Sequence, residues 1–291
     1  MQPTTRIIAR RFRGRPTMEG AGVRLSRMFG NAEVPLLDPF LLLDNFGSTR
    51  PEDYVKGFPW HPHRGMETVT YMLDGRTDHE DTLGNKGTIG PGEVQWMSAG
   101  SGIMHQEMPQ RTDGLLSGLQ LWINLPRRLK METPAYRGVT ANAIPVVKGA
   151  DGSVIKVIAG THEGATGPVH NTAVDPHYLD VALQPTSEFK HKVRTGDTVF
   201  AQILSGKGRF DADSWFGPGE TAVYGPGDNV HVVAGEEGVR FILVSGTPLG
   251  EPIAWHGPIV MNTNDEIVEA VSDLRKGTFI RSKKVIDETP G

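Results

Sequence analysis

The stretch Trp60-His61-Pro62-His63-Arg64-Gly65-Met66-Glu67-Thr68-Val69-Thr70-Tyr71 decides how this chain is read. Two histidines stand two residues apart, just ahead of an alternating, β-branched run. Alternate side chains of a strand share a face. The spacing therefore puts His61, His63, Glu67, Val69 and Tyr71 on one side, towards the inside of a sandwich or barrel. A second pair, His105 and Glu107, follows in Gly102-Ile103-Met104-His105-Gln106-Glu107. Three imidazoles and a carboxylate suit a divalent first-row metal such as iron, manganese, nickel or zinc. Octahedral geometry would leave two positions for water, oxygen or substrate. Spacing alone also allows Glu67 as a ligand in place of Glu107. Val69, Tyr71, Trp96, Met97, Met104 and Trp122 are the candidate lining.

Outward from this stretch the chain keeps a β rhythm. Asp74-Gly75 is a strong hairpin signal. Gly90-Pro91-Gly92 makes a tight corner, and Ala99-Gly100-Ser101-Gly102 is a flexible turn that delivers His105. The 36 glycines and 21 prolines punctuate short strands along the whole chain, the pattern of an all-β sandwich or barrel. His79, within Asp78-His79-Glu80-Asp81, reads as part of a solvated loop. His162, His170, His177, His191, His231 and His256 have no histidine at ligand spacing.

The second half echoes the first. Gly90-Pro91-Gly92 with Ala99-Gly100 matches Gly225-Pro226-Gly227 with Ala234-Gly235, and Thr68 to Gly75 matches Val199 to Gly206. A repeat of this size predicts two similar β-domains, over 1–134 and 135–291. Shifting the ligand candidates into the second copy lands on Lys192, Arg194, Thr198, Arg240 and Ile242. Cationic side chains do not ligate metal ions. The second copy is therefore expected to keep the scaffold without a metal site. Near the end, Thr263-Asn264-Asp265-Glu266 fits a capping box. Ile267, Val268, Val271 and Leu274 form a helical stripe, and Gly277 a stop, which predicts one helix over 264–276.

The bulk numbers exclude several classes. A net charge of −4 argues against a dedicated nucleic-acid binder. No run approaches the ~18 apolar residues of a membrane span. With no cysteine, disulfides and thiolate sites are impossible. That composition fits a reducing compartment, and the expected location is the cytoplasm. No phosphate loop or Gly-x-Ser-x-Gly elbow is present.

Taken together, these motifs resemble the pirin family of the cupin superfamily. The likeness runs through Glu19-Gly-Ala-Gly-Val23, His61-Pro-His-Arg-Gly65 with Glu67-Thr-Val-Thr-Tyr71, and Val94-Gln-Trp-Met97. It continues through Ala99-Gly-Ser-Gly-Ile103 with His105 and Glu107, Leu119-Gln-Leu-Trp122, and Trp255-His-Gly-Pro258 with Met261-Asn-Thr263. The resemblance implies a bicupin of two β-barrel domains with a metal in the first, usually Fe2+, although manganese, nickel, zinc or copper suit the same donors. It implies His61, His63, His105 and Glu107 as ligands and puts Glu67 behind them. It also implies one of two roles. The first is a quercetin 2,3-dioxygenase acting on a flavonol and O2, with Glu107, or Glu67 if it lies close, as general base. The alternative is a metal- and redox-dependent regulator that binds partner proteins without turnover. Neither role calls for direct contact with nucleic acid or membrane.

Overall fold

The structure is a computed structural model that describes residues 4–281. In chain order its strands are β1 (Ile8–Arg13), β2 (Arg15–Glu19), β3 (Val23–Phe29), β4 (Phe40–Ser48), β5 (Phe58–His63) and β6 (Met66–Asp74). Then come β7 (Thr77–Asp81), β8 (Lys86–Ile89), β9 (Val94–Ser98), β10 (Ile103–Pro109), β11 (Leu116–Asn124) and β12 (Ala135–Val139). The second half holds β13 (Val146–Lys148), β14 (Val154–Ala159), β15 (Thr161–His162), β16 (Ala165–Thr166), β17 (His177–Leu183) and β18 (Glu188–Lys192). It continues with β19 (Thr198–Arg209), β20 (Trp215–Phe216), β21 (Glu220–Tyr224) and the long β22 (Asn229–Gly246). Two short strands, β23 (Ala254–His256) and β24 (Ile259–Met261), precede the helix α1 (Asn264–Lys276). The all-β expectation holds, and no described helix is long and apolar enough to cross a membrane.

Two compact units form, but not by one cut between 134 and 135. Among the described residues, Arg15–Ala141 folds with those from Leu249 to Arg281, and Asn142–Pro248 folds with those from Thr4 to Gly14. The reason is strand pairing and burial. Strand β1 pairs with β21, so the N-terminus completes the second unit's sheet. Helix α1 packs Ala270, Ile267 and Leu274 on Ile259, Met261 and Phe279, within the first unit. Its capping box forms as expected: Thr263 Oγ1 accepts from Glu266 N, and Glu266 Oε2 accepts from Thr263 N. Val268, expected on the buried stripe, is instead 68% exposed.

In the first unit one sheet runs β12-β9-β6-β11-β4-β3-β2 and a second runs β5-β10-β7-β8. In the second unit the main sheet runs β1-β21-β19-β22-β17-β14-β13. The two seven-strand orders correspond place by place, so the repeat is real. Its register differs from the one expected. The counterpart of Gly90-Pro91-Gly92 is Gly217-Pro218-Gly219, not Gly225-Pro226-Gly227. In both corners the first glycine's N–H reaches the following glutamate, Glu93 or Glu220, and that glutamate's N–H returns to the glycine carbonyl. Strand β22 does the work of β10 and β11 in one piece, pairing first with β18 and then with β17 and β19.

The opening stretch is two strands rather than one. Strand β5 ends at His63 and β6 begins at Met66, in different sheets. Gly65 makes the break at φ +78°, where a Cβ would run into the carbonyl of Val260. A left-handed residue pressed on backbone leaves only glycine.

Candidate metal centre

His61 and His63 ride on β5, and His105 on the adjacent strand β10, where His105 pairs directly with His61. Inward positions on β10 alternate as Ile103, His105, Glu107 and Pro109. The three imidazoles converge: one nitrogen from each lies within 4.8 Å of the others. Ring centroids are 4.3 Å apart for His61 and His105, and 5.0 Å for His63 and His105.

The outer nitrogens are tied down. His61 Nδ1 lies 3.0 Å from the carbonyl of Pro59, and His63 Nδ1 lies 3.3 Å from that of Pro258. A carbonyl only accepts, so in the neutral form of each ring Nδ1 carries the proton and Nε2 is the nitrogen with the lone pair. Both nitrogens of His105 are buried without a hydrogen-bond partner in the protein. An unpaired buried donor or acceptor costs about 1–3 kcal/mol, so such a group signals a missing partner. Burial, reinforced by the neighbouring histidines, holds His63 and His105 well below the usual imidazole range. Neutral imidazoles with inward lone pairs are what a divalent cation needs.

Glu107 shares the inward face but lies outside the three-donor cluster. Its Oε1 accepts from Thr70 Oγ1 at 2.8 Å and its Oε2 from Gln120 Nε2 at 2.8 Å. A small cavity of about 20 Å³ touches Glu107, Thr70 and Gln120, room for one water.

Glu67 is not placed with these groups. On β6 it alternates with Thr68 and Thr70, so the face that carries Thr70 to Glu107 cannot also carry Glu67. Its Oε2 accepts from Trp96 Nε1 at 3.1 Å instead, and burial pushes its carboxyl up to about 7. Val69, Tyr71 and Trp96, expected as lining, share that far face. Trp122 is on the near face, edge-on to His63 at 5.2 Å between centroids.

His79 belongs to the site's surroundings, not to a solvated loop. Thr77, His79 and Asp81 alternate inward along β7, a period-two signal present in the sequence but masked by the charged residues between them. Gln95 Nε2 lies 2.7 Å from His79 Nδ1, Tyr136 stacks on the ring, and His105 lies 5.5 Å away between centroids.

A cavity of about 580 Å³ opens beside His61 and His63, walled by Leu42, Phe58, Gln120, Trp122 and Trp255. Trp255 and Trp122 sit 5.9 Å apart between centroids. Arg27 on its rim is neutralised by Asp44 and Glu19. Trp255 and Pro258 lie after Leu249, so the C-terminal segment builds part of this site.

The sequence profile of the family described as Pirin matches residues 22–123, and that of the Pirin C-terminal cupin domain matches 178–280. A pirin-like protein of Caulobacter vibrioides is 44% identical over 281 residues, covering 96% of this chain and 99% of its own. Pirin of Homo sapiens is 42% identical, covering 92% of this chain and 93% of its own. The crystal structure of a quercetin 2,3-dioxygenase from Acinetobacter baumannii superposes with a TM-score of 0.88 at 32% identity, covering 96% of this chain and all of that one.

Proposed function

Since this chain belongs to the pirin family, we propose that it is a metal-dependent dioxygenase that opens the ring of a flavonol such as quercetin with O2. Support comes from the similarity to the Acinetobacter baumannii quercetin 2,3-dioxygenase and from an aromatic-walled cavity beside the histidines. The observation that carries the reading is His105, buried between two oriented imidazoles with neither nitrogen bonded.

In this reading His61, His63, His105 and Glu107 hold the cation, with Fe2+ first among ions that accept three imidazoles and a carboxylate. When bound, the ion lowers the pKa of the flavonol 3-hydroxyl and supplies the redox chemistry towards O2. Glu107 takes the hydroxyl proton, and Thr70 and Gln120 aim its two oxygens. Trp122 and Trp255 give the flat rings a surface to lie on, while Leu42 and Phe58 keep water from that wall. Gln120 links the two halves of the site, since it touches Glu107 and its Oε1 accepts from Trp122 Nε1. The products are the ring-opened ester and carbon monoxide. The cysteine-free chain is read as a cytoplasmic protein.

The test is anaerobic. Protein loaded with Fe2+ is mixed with quercetin, air is admitted, and dissolved oxygen and carbon monoxide are followed. Matched oxygen uptake and carbon monoxide release are expected. Tight metal binding with neither gas changing removes the dioxygenase reading for quercetin.

A further inference from the structure

The second unit carries its own histidine cluster. His162 on β15, His177 on β17 and His191 on β18 come from three separate strands and meet. His191 Nδ1 lies 3.0 Å from His162 Nδ1, and His191 Nε2 lies 2.7 Å from His177 Nδ1. His162 and His191 are 5% and 4% exposed, and His177 is half-buried. Phe189 stacks against His162 at 5.3 Å and flanks His191 at 6.0 Å. Gly160 makes room for the third ring, because a Cβ there would collide with His177.

These are not the positions expected from the repeat. Arg194 is paired with Asp175 and Asp197, and Arg240 with Asp180. Strand β18 pairs with the start of β22 as β5 pairs with β10, and the inward residues there are Phe189, His191, Val230, Val232 and Ala234. Of these inward residues His191 alone offers a donor nitrogen. His162 and His177 supply theirs from neighbouring strands that carry no ligand in the first unit.

We propose that His162 and His191 form a second transition-metal site, for Zn2+, Cu2+ or Ni2+, with His177 fixing the orientation of His191. The separation of the two Nδ1 atoms fits two cis ligands at a metal–nitrogen distance of about 2.1 Å. A neutral imidazole has one bare ring nitrogen, so a cation seated between the two Nδ1 atoms takes the place of the hydrogen bond that joins them. His191 then donates Nε2–H to His177 Nδ1, the outer contact that ligating histidines characteristically make. Binding requires His162 to carry its proton on Nε2 and leaves the total number of protons unchanged. The set lacks a carboxylate, so it selects the imidazole-preferring ions over Mg2+ or Ca2+.

The test counts Zn2+ by competition with a chromophoric chelator on the full metal-free chain. Wild type is expected to take two equivalents. His61→Ala/His63→Ala and His191→Gln should each take one, and the combined variant none at micromolar Zn2+. His231→Gln, an exposed-histidine control, should keep both. If His191→Gln loses its β-sheet circular dichroism, His162→Gln replaces it. Wild type binding a single equivalent, lost in His61→Ala/His63→Ala, overturns the proposal. So does a second equivalent that survives both His191→Gln and His162→Gln. The count is independent of dioxygenase activity.

Discussion

The Nδ1 of His63 lies 3.3 Å from the carbonyl oxygen of Pro258, 195 positions further along the chain. The next residue, Arg64, is bound to the same C-terminal segment. Its guanidinium is 1% exposed and reaches Ser101 O, Asp273 Oδ2 and Phe279 O, with the Phe279 ring 4.2 Å away. Lys130 adds Nζ contacts to Gly65 O and Val260 O. The histidine strand is thus held by a segment that follows the entire second unit.

Breaking this anchor should be costly. Asp273→Ala leaves the Arg64 charge buried with only carbonyl partners, and removing one member of a buried pair costs about 3–5 kcal/mol. Asp273 is partly exposed, so about 2–3 kcal/mol is expected. Urea denaturation measures it. The same variant should bind metal more weakly, because His63 loses its fixed neighbour. An unchanged midpoint would show that Arg64 is not held by this contact.

His105→Ala should separate folding from metal binding. The substitution deletes a buried ring whose nitrogens have no protein partner, so the lost packing is offset by the lost desolvation cost. Apo stability should move by no more than about 2 kcal/mol. Metal affinity should fall at least about 100-fold, beyond what an outer contact alone contributes. Thermal melts with and without Fe2+ or Ni2+ read both quantities. Wild type should gain melting temperature on metal addition and the variant should not. His61→Ala should behave alike.

Trp122→Ala should act on substrate instead. Its ring walls the cavity and meets His63 edge-on. Aromatic stacking adds about 0.5–1.5 kcal/mol beyond area burial, so flavonol affinity should fall roughly ten-fold. Titration of the metal-loaded protein with quercetin under anaerobic conditions measures it directly. Metal stoichiometry should stay unchanged.

Much of this site was legible because its determinants are local. His61 and His63 at period two, and the glycine turn before His105, need only neighbours in sequence to be read. The failures all come from distant atoms. The carbonyl of Val260 is what obliges Gly65 to break the strand, and that break turns Glu67 away. His79 looked solvated beside Asp78 and Glu80, yet it pairs with Glu107 across β7 and β10 and faces in. The cluster of His162, His177 and His191 has no motif, since its members share no strand. The domain boundary failed for a related reason: β1 finds its partner in β21, more than 200 residues on.

Glu67 and Glu107 give the sharpest contrast. Glu107→Gln should abolish turnover, because an amide cannot take the hydroxyl proton. Glu67→Gln should leave turnover within about two-fold, since the side chain sits on the other face and bonds to Trp96. Its effect belongs to stability. Burial raises the folded-state value from 4.5 to about 7, so the native protein binds a proton there that the unfolded chain has released. Native proton uptake means that stability falls as pH rises from about 4.5 to beyond 7. The size is on the order of 3 kcal/mol, from about 1.4 kcal/mol per pKa unit. Glu67→Gln removes this dependence. Urea midpoints at pH 5 and pH 8 should therefore converge in the variant relative to wild type, with the variant the more stable of the two at pH 8. Parallel pH dependence in both proteins would show that Glu67 is charged in the folded state and that the Trp96 contact, not burial, sets its proton.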